Sequence, residues 1–321
     1  MARYRKYSVY LKEKYGARVH RIPLQAGFYC PNRDGRLSRQ GCIFCDVYGS
    51  GPLTFKPPPI REQLLEGMKR ARRRYGAKFF IAYFQAFTNT YGPPEVLRER
   101  YWQALEFPEF VEISIGTRPD CVPEPVVDIL EELARERPLW VELGLESSHY
   151  RSLRWMRRNH GVADFIDAVL RLKKRQGINV AAHVILGIPG EGKEEVVETA
   201  RFLSALPVDG VKIHPLHVLK NTGLEKLYRE GKLPLLSMEE FVSLAVDFLE
   251  NLREDIVVMR ISGERSLELF IAPEWALEKQ KVLAEIDREM EKRDSFQGRK
   301  LKLGLKPEEC MPLREPVKFS T

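Results

Sequence analysis

A chain of 321 residues, 44% of them hydrophobic and with a formal net charge of +7, is long enough to bury one sizeable core. It has no apolar run long enough to span a bilayer and opens without a signal peptide, so a cytoplasmic protein in a reducing compartment is expected. Five cysteines are too few for a disulfide scaffold, and the positive balance points to an anionic partner, although charge alone speaks mainly to solubility and nonspecific binding.

Residues 1–18 interleave Arg3, Arg5, Lys6, Lys12, Lys14 and Arg18 with Tyr4, Tyr7, Tyr10 and Tyr15. Basic residues among aromatics suit a nucleic-acid backbone and its bases. The alternative is a solvated helix whose tyrosines pack on the body of the protein. Residues 19–28 read as a first strand. It leads into a loop holding Cys30, Cys42 and Cys45, spaced C-x11-C-x2-C. Thiolates at that density suit an inorganic centre, and Pro31, Gly35 and Gly41 suit a chain that wraps around one. A closed zinc site takes four ligands, which would call on His20 or a distant residue. A cubane held by three cysteines instead keeps one iron open.

Residues 61–75 place Leu64, Leu65, Met68 and Ala71 at helical spacing, with Lys69, Arg70, Arg72, Arg73 and Arg74 on the other side. Such a run is a solvated face or a phosphate-binding surface. Strands and helices then alternate. The strands are 78–86, 111–115, 139–145, 178–186 and 208–217; the helices are 94–105, 125–135, 149–156, 162–176 and 193–205. This order indicates βαβ units and a parallel sheet. With the first strand it makes six units, two short of a closed eight-fold barrel. Beyond residue 220 the pattern changes. Ser237 opens a capping box for a helix to 251, 256–261 is a short strand, and 275–293 is a charged helix. A basic tail follows with Lys292, Arg293, Arg299, Lys300, Lys302 and Lys306. The organisation expected is a basic segment 1–18, a core 19–219 and an extension 220–321 covering one side.

Ligands of parallel α/β folds gather at the carboxyl ends of the strands. The second strand ends in Gln85, Thr88 and Asn89, the third in Arg118 and Asp120, which are also a plausible turn-stabilising pair. Glu142 and Glu146 share one side of the fourth strand, and an acid in so apolar a strand is costly unless paired or functional. The fifth strand holds His183. His214 and His217 follow on the sixth, as pocket-lining groups or metal ligands. Cys121 is either a small buried residue or a participant in the reaction, and Cys310 lies in the tail without a cysteine neighbour.

The stretch "CPNRDGRLSRQGCIFC" resembles the cluster loop of the radical SAM (S-adenosylmethionine) enzymes. More narrowly it resembles the branch related to the Elongator catalytic subunit and, within it, the YhcC/YtqA family. The eleven-residue gap departs from the usual C-x3-C-x2-C but is shared by that branch. "GTRPD" from Gly116, "VELGLES" from Val141, "RRNHG" from Arg157, "GIPGE" from Gly187, "APEW" from Ala272 and "SFQG" from Ser295 carry the resemblance further. Glu146 departs from it, standing where the relatives carry Gln.

The resemblance implies a radical SAM partial (β/α)6 TIM-like barrel with a C-terminal α/β extension. It implies a [4Fe-4S] cluster on Cys30, Cys42 and Cys45, with S-adenosyl-L-methionine on the open iron. Phe44, beside Ile43, is then expected near the adenine, with Gly187, Ile188 and Pro189 cradling it. Gln85 and Thr88 stand where a "GGE"-like stretch usually meets the cofactor's amino group. Arg118 and Asp120 are candidates for cofactor or substrate contacts, Glu142 is expected at the methionine end, Glu146 at the ribose, Arg154 or Arg157 at the carboxylate, and His217 at adenine or substrate. An electron donor such as flavodoxin or ferredoxin would start the reaction. The sulfonium bond breaks to methionine and a 5′-deoxyadenosyl radical, which takes a hydrogen from the substrate. Relatives in this branch act on tRNA, and the YtqA group is associated with converting a wobble-uridine carboxymethylaminomethyl group to aminomethyl, so tRNA is the expected partner. The rival readings are an oxidase or decarboxylase of an anionic small molecule, and a zinc-containing RNA-binding module without catalysis.

Overall fold

The alternating pattern becomes one parallel sheet in the computed structural model, which describes residues 2–51, 53–54, 56–263 and 266–303. The strands are β1 (Val19–Leu24), β2 (Phe79–Phe84), β3 (Phe110–Thr117), β4 (Leu139–Glu146), β5 (Ile178–Leu186), β6 (Gly210–Pro215), β7 (Val218–Leu219), β8 (Val257–Ile261) and β9 (Phe270–Ala272). Seven of them form a curled half-barrel in the order β1-β2-β3-β4-β5-β6-β8, with every neighbouring pair parallel. The other two, β7 and β9, form a small antiparallel pair. Parallel strands covered on both faces are apolar almost throughout, and every residue of β4 is buried.

Three expectations change. The first strand ends at Leu24, not at 28. The sixth stops at Pro215, and Val218–Leu219 turn away to pair with β9. The sheet has seven strands, because β8 extends it beside β6. The segment beyond 220 is therefore not only a cover: it completes the sheet.

The helices are α1 (Tyr7–Tyr15), α2 (Ile60–Tyr75), α3 (Pro94–Trp102), α4 (Glu124–Glu136), α5 (Tyr150–Trp155), α6 (Val162–Lys173), α7 (Lys193–Ala205), α8 (Gly223–Arg229), α9 (Met238–Glu250) and α10 (Lys279–Lys292). In α2 the apolar stripe Ile60, Leu64, Met68 and Ala71 is buried on the sheet, which leaves the arginine run outside. The capping box before α9 forms as its sequence indicates: Glu240 N–H donates to Ser237 Oγ (3.2 Å), and Ser237 N–H donates to Glu240 Oε2 (2.7 Å).

The amino-terminal segment stops the amino end of the half-barrel. Tyr4 and Tyr7 are buried, and Tyr7 and Tyr10 meet Trp140 edge to face. The fully buried Glu112 accepts from Tyr7 Oη (3.0 Å), Lys14 Nζ (2.8 Å), Tyr15 Oη (2.9 Å) and Trp140 Nε1 (3.1 Å). Lys6 pairs with Asp287 at 2.8 Å, and Arg5 donates to the Asp255 carbonyl. The interleaved tyrosines and cations are thus packing and pairing groups, far from the strands' carboxyl ends. The arginine run of α2 also lies at the amino end, since β2 begins just after it, and Arg72 is paired with Glu109. In the tail, Arg293 meets Asp247 and Glu250, and Lys300 meets Glu250. Lys306 and Cys310 lie outside the described residues.

Candidate active site

Inside the half-barrel the side chains stand in layers. At the amino end Tyr7, Ile81, Trp140, Ala181, Val257 and Met259 form an apolar plug. Above it each of the seven strands contributes one polar side chain: Arg21, Tyr83, Ser114, Glu142, His183, Lys212 and Arg260. Glu142 sits at the centre and is fully buried. It accepts from Ser114 Oγ (2.5 Å) and His183 Nε2 (2.8 Å) and makes a close ion pair with Lys212, itself fully buried. Lys212 Nζ and Arg21 Cζ both stand over the Tyr83 ring, at 4.2 and 4.9 Å. Arg260 Nη2 reaches His214 Nε2 at 2.9 Å.

Burial opposes ionisation of Glu142, but Lys212, the His183 hydrogen bond and Arg21 outweigh it and hold the carboxyl well below its ordinary range. Burial lowers His183, and Lys212 and Arg260 add to this against Glu142, leaving it at about 4. A histidine depressed in the fold binds its proton more weakly than in the unfolded chain. Its contribution is fully present above pH ~6.5 and is lost as pH falls toward its folded value. Urea unfolding at pH 7.5 and 5.0 is therefore expected to show a loss of up to roughly 2 kcal/mol at the lower pH from this group, and His183→Asn should flatten that dependence.

Above the polar layer a cleft of about 170 Å³, open to solvent, lies at the carboxyl ends of the strands. Cys30, Cys42 and Cys45 all line it, and none of them is in a disulfide. The long gap between Cys30 and Cys42 closes because the loop folds on itself: Arg33 and Asp34 N–H donate to the Cys30 carbonyl, and Gly41 N–H to that of Asn32. Arg33 Nη2 staples the far end to the carbonyls of Cys45 (2.7 Å) and Asp46 (2.8 Å). Gly41 has φ +72°, and a Cβ there would stand 2.9 Å from Arg33 Nε, so glycine makes room for the staple. Cys42 Sγ accepts from Asn32 Nδ2 (3.4 Å) and Arg158 Nη1 (3.3 Å).

Among the described residues no three His, Cys, Asp or Glu side chains converge tightly enough for a single metal ion. This does not exclude a cubane, whose ligands each take a separate iron and stand further apart. Three free thiols, donors aimed at sulfur and the flanking guanidiniums of Arg33 and Arg158 suit an anionic cluster. A second fit lies across the cleft. Arg118 is 3% exposed and grips Asp120 through Nε and Nη2 (2.9 and 2.8 Å), leaving Nη1 buried without a partner. A buried orphan guanidinium N–H lining a cleft calls for an anionic ligand group.

Phe44, Gln85, Thr88, Arg118, Glu142, Glu146 and His217 also line this cleft. Arg154, Arg157, Gly187, Ile188, Pro189 and Cys121 do not. Arg154 is exposed and rests on Tyr150, while the turn after α5 sends the neighbouring Arg158 inward instead. Arg158 is 6% exposed, donates to the Gly144 carbonyl (2.7 Å) and lies 3.5 Å from Glu146. A Cβ on Gly144 would stand 2.7 Å from Arg158 Nη2, which accounts for the glycine in "VELGLE". Gly187, Ile188 and Pro189 stand behind the wall. Ile188 is buried among Leu153, Leu216 and Leu224, and Ile185 reaches the cleft in their place. Cys121 lines a separate hollow with Pro31, Tyr91 and Asp120, and burial followed by Asp120 pushes its thiol up to about 12.

Sequence reasoning missed Arg33, Arg158, Arg21, Lys212 and Arg260. The signal available for the last three was a cation inside an apolar strand: "VHRI", "VKI" and "VVMRI".

Residues 30–203 match the family described as the Radical SAM superfamily, and residues 208–292 match the Radical_SAM C-terminal domain. The chain is 42% identical over 298 residues to "Uncharacterized protein YtqA" of Bacillus subtilis (strain 168), covering 92% of each. It is 31% identical over 137 residues to the tRNA uridine(34) acetyltransferase of Methanocaldococcus infernus, covering 42% of this chain and 25% of that protein. Its fold is similar to that of the archaeal Methanocaldococcus infernus Elp3 with N-terminus deletion (TM-score 0.64, 18% identity), over 87% of this chain and 64% of that one.

Proposed function

This chain belongs to the radical SAM superfamily, and from that premise we propose that it modifies the wobble uridine of tRNA, converting a carboxymethylaminomethyl side chain to aminomethyl. It is an enzyme of that superfamily, whose members use a [4Fe-4S] cluster and S-adenosyl-L-methionine. When bound, the two supply a carbon radical that abstracts hydrogen from the substrate.

The chain's own groups divide the remaining work. Cys30, Cys42 and Cys45 hold the cluster, with Asn32 and Arg158 donating to Cys42 Sγ and Arg33 adding positive charge. Arg118 takes the cofactor carboxylate through its unpartnered Nη1. Gln85 spends its amide nitrogen on the Ser50 carbonyl (2.7 Å), so its oxygen and Thr88 serve the cofactor's amino group. Phe44 and His217 border the adenine, and Glu146 the ribose. Glu142 acts from the polar layer through Lys212 and His183, where it fixes the floor of the cleft.

The observation that carries the tRNA reading is a set of exposed cations on the cluster loop and around α5, the segments whose Cys42, Cys45 and nearby Arg158 line the cleft. Arg36 and Arg39 on the cluster loop and Arg151, Arg154 and Arg157 around α5 are exposed, together with Tyr150 at 61%. Arg157 reaches Gln40 on the cluster loop at 3.0 Å, and Arg151 reaches the Gly190 carbonyl. Cations beside an exposed ring at the mouth of a deep cleft suit a backbone held outside and one base held inside. The partial similarity to a tRNA uridine(34) enzyme supports the same substrate class. Binding of a tRNA anticodon stem-loop should weaken steeply with salt. The triple variant Arg36→Gln, Arg39→Gln and Arg154→Gln should reduce the log–log salt slope by about 2 while iron content stays the same. A shallow slope that the variant leaves unchanged would remove the tRNA reading. The second reading, an anionic small molecule, is favoured by the cationic groups on the cleft floor and predicts that shallow slope.

A further inference from the structure

The turn after α5, from Arg157 to His160, alternates between solvent and interior. Arg157 and Asn159 are exposed, whereas Arg158 and His160 are each 6% exposed. Arg157 and Asn159 take left-handed φ angles of +56° and +53°, which are unfavourable for residues that carry a side chain. The turn so formed converges on one sulfur. Arg158 donates through Nε to His160 Nε2 (3.0 Å), through Nη1 to Cys42 Sγ (3.3 Å) and through Nη2 to the Gly144 carbonyl (2.7 Å). A guanidinium only donates, so Nε2 is the bare nitrogen of a neutral His160 ring. The ring proton then stands on Nδ1, which faces the Gly161 carbonyl at 3.3 Å.

The second donor to Cys42 is held in a similar way. Asn32 Nδ2 donates to Cys42 Sγ (3.4 Å) and to the Arg157 carbonyl (2.8 Å), while Asn32 Oδ1 accepts from Asn159 Nδ2 (2.6 Å). A flipped Asn32 amide would turn its oxygen to a sulfur and a carbonyl, and its N–H bonds to the Asn159 amide.

We propose that His160 and Asn159 are positioning residues for the cluster: they fix Arg158 and Asn32 with N–H bonds aimed at Cys42 Sγ, and thereby raise the potential at which the cluster takes up an electron. The proposal rests on the three-cysteine cluster and is independent of the tRNA reading. One electron from an iron–sulfur or flavin donor adds one negative charge; no bond forms or breaks and no proton moves. Hydrogen bonds to sulfur favour the more negative state and so raise the potential. A neutral imidazole suits this task, because it accepts from Arg158 without cancelling the guanidinium charge. Glu146, 3.5 Å from Arg158 Nη2, is the competing acceptor. Without His160 the guanidinium turns toward that carboxylate and away from sulfur.

The test is a potentiometric titration of the reconstituted holoenzyme, without SAM or RNA, followed by the electron paramagnetic resonance signal of the reduced cluster per cluster retained. His160→Ala should lower the reduced-to-oxidised ratio at a fixed potential about tenfold, which is a fall of about 59 mV for one electron. His160→Gln puts an amide oxygen where Nε2 stood and should return the ratio close to wild type. Arg158→Met should also lower it, and adding His160→Ala to Arg158→Met should change it no further, because His160 acts through Arg158. Asn159→Gly keeps the left-handed turn, removes only the amide and should lower the ratio about threefold. Should His160→Ala fail to fold, His160→Asn takes its place, since its shorter amide does not reach Arg158 Nε.

A ratio unmoved in His160→Ala, or in Asn159→Gly, overturns the role of that residue. A further drop on adding His160→Ala to Arg158→Met, or a folded His160→Gln protein that stays at the His160→Ala value, makes His160 a packing group and overturns its role as well. If Cys42→Ala titrates as wild type, the three-cysteine cluster itself falls. If Cys42→Ala loses the cluster while the His160 and Asn159 variants titrate as wild type, the cluster stands and the positioning falls.

Discussion

Cys42→Ala is expected to lower iron retention and 5′-deoxyadenosine formation by more than ~100-fold, since replacing a neighbour of a metal ligand alone costs about 10–100-fold. Cys42 is the right residue to change. It is 8% exposed, and two donors, Asn32 Nδ2 and Arg158 Nη1, are aimed at its sulfur. Removing the sulfur leaves both donors without that acceptor. Arg158→Met should give a milder result, roughly 10–100-fold in cluster retention, because it removes one of the two sulfur donors and keeps all three thiols. Cys121→Ala should behave as wild type, its thiol lying in the separate hollow. The measurements are iron and sulfide per chain after anaerobic reconstitution, and 5′-deoxyadenosine released after reduction with SAM present. A Cys42→Ala protein that still holds four irons and cleaves SAM would refute the three-cysteine site.

Lys212→Met should destabilise the half-barrel by about 3–5 kcal/mol at neutral pH. Methionine matches the lysine stem in length, so the loss is electrostatic and not a cavity. With Lys212 gone, a fully buried carboxylate keeps Ser114 and His183 but loses its closest cation. In wild type Glu142 is depressed, so its contribution is present above the ordinary carboxylate range and is lost only as pH falls through its lower folded value. In the variant burial acts with less opposition and raises Glu142. The deficit should therefore be largest near pH 8 and shrink as the solution is acidified. Denaturant melts across that range give the sign directly. Adding Glu142→Gln to Lys212→Met should recover part of the loss, and the double-mutant cycle gives the coupling. Additive single changes would mean that the two side chains do not depend on each other.

Much of the site could be read along the chain where function is written as a local pattern. Three thiols within sixteen residues, glycines at the turns of their loop, and strands alternating with helices are short-range features whose spacing carries the chemistry. The parallel α/β sheet followed from these, and the radical SAM fold and its cofactors from the family resemblance that the same stretches carry. The inward arginine did not. Arg154, Arg157 and Arg158 look alike in sequence, but positive φ angles at Arg157 and Asn159 reset the direction of the turn and send only Arg158 to Cys42. A turn has no period from which direction can be counted.

The amino-terminal tyrosines and cations posed the same difficulty in another form. Their composition suits RNA as well as it suits a plug, and only Glu112 and Trp140, about a hundred residues further along the chain, decided for the plug. The polar layer is the clearest case. Arg21, Lys212 and Arg260 each read as a single charge in an apolar strand. Closing the sheet in the order β1 to β6 and then β8 brings them into one low-dielectric layer around Glu142. The sequence by itself determined the periodic elements and the cysteine loop, because those depend on neighbours a few residues apart. Only the tertiary structure decided which charges face one another, because that energy depends on distance through the fold and on the removal of water.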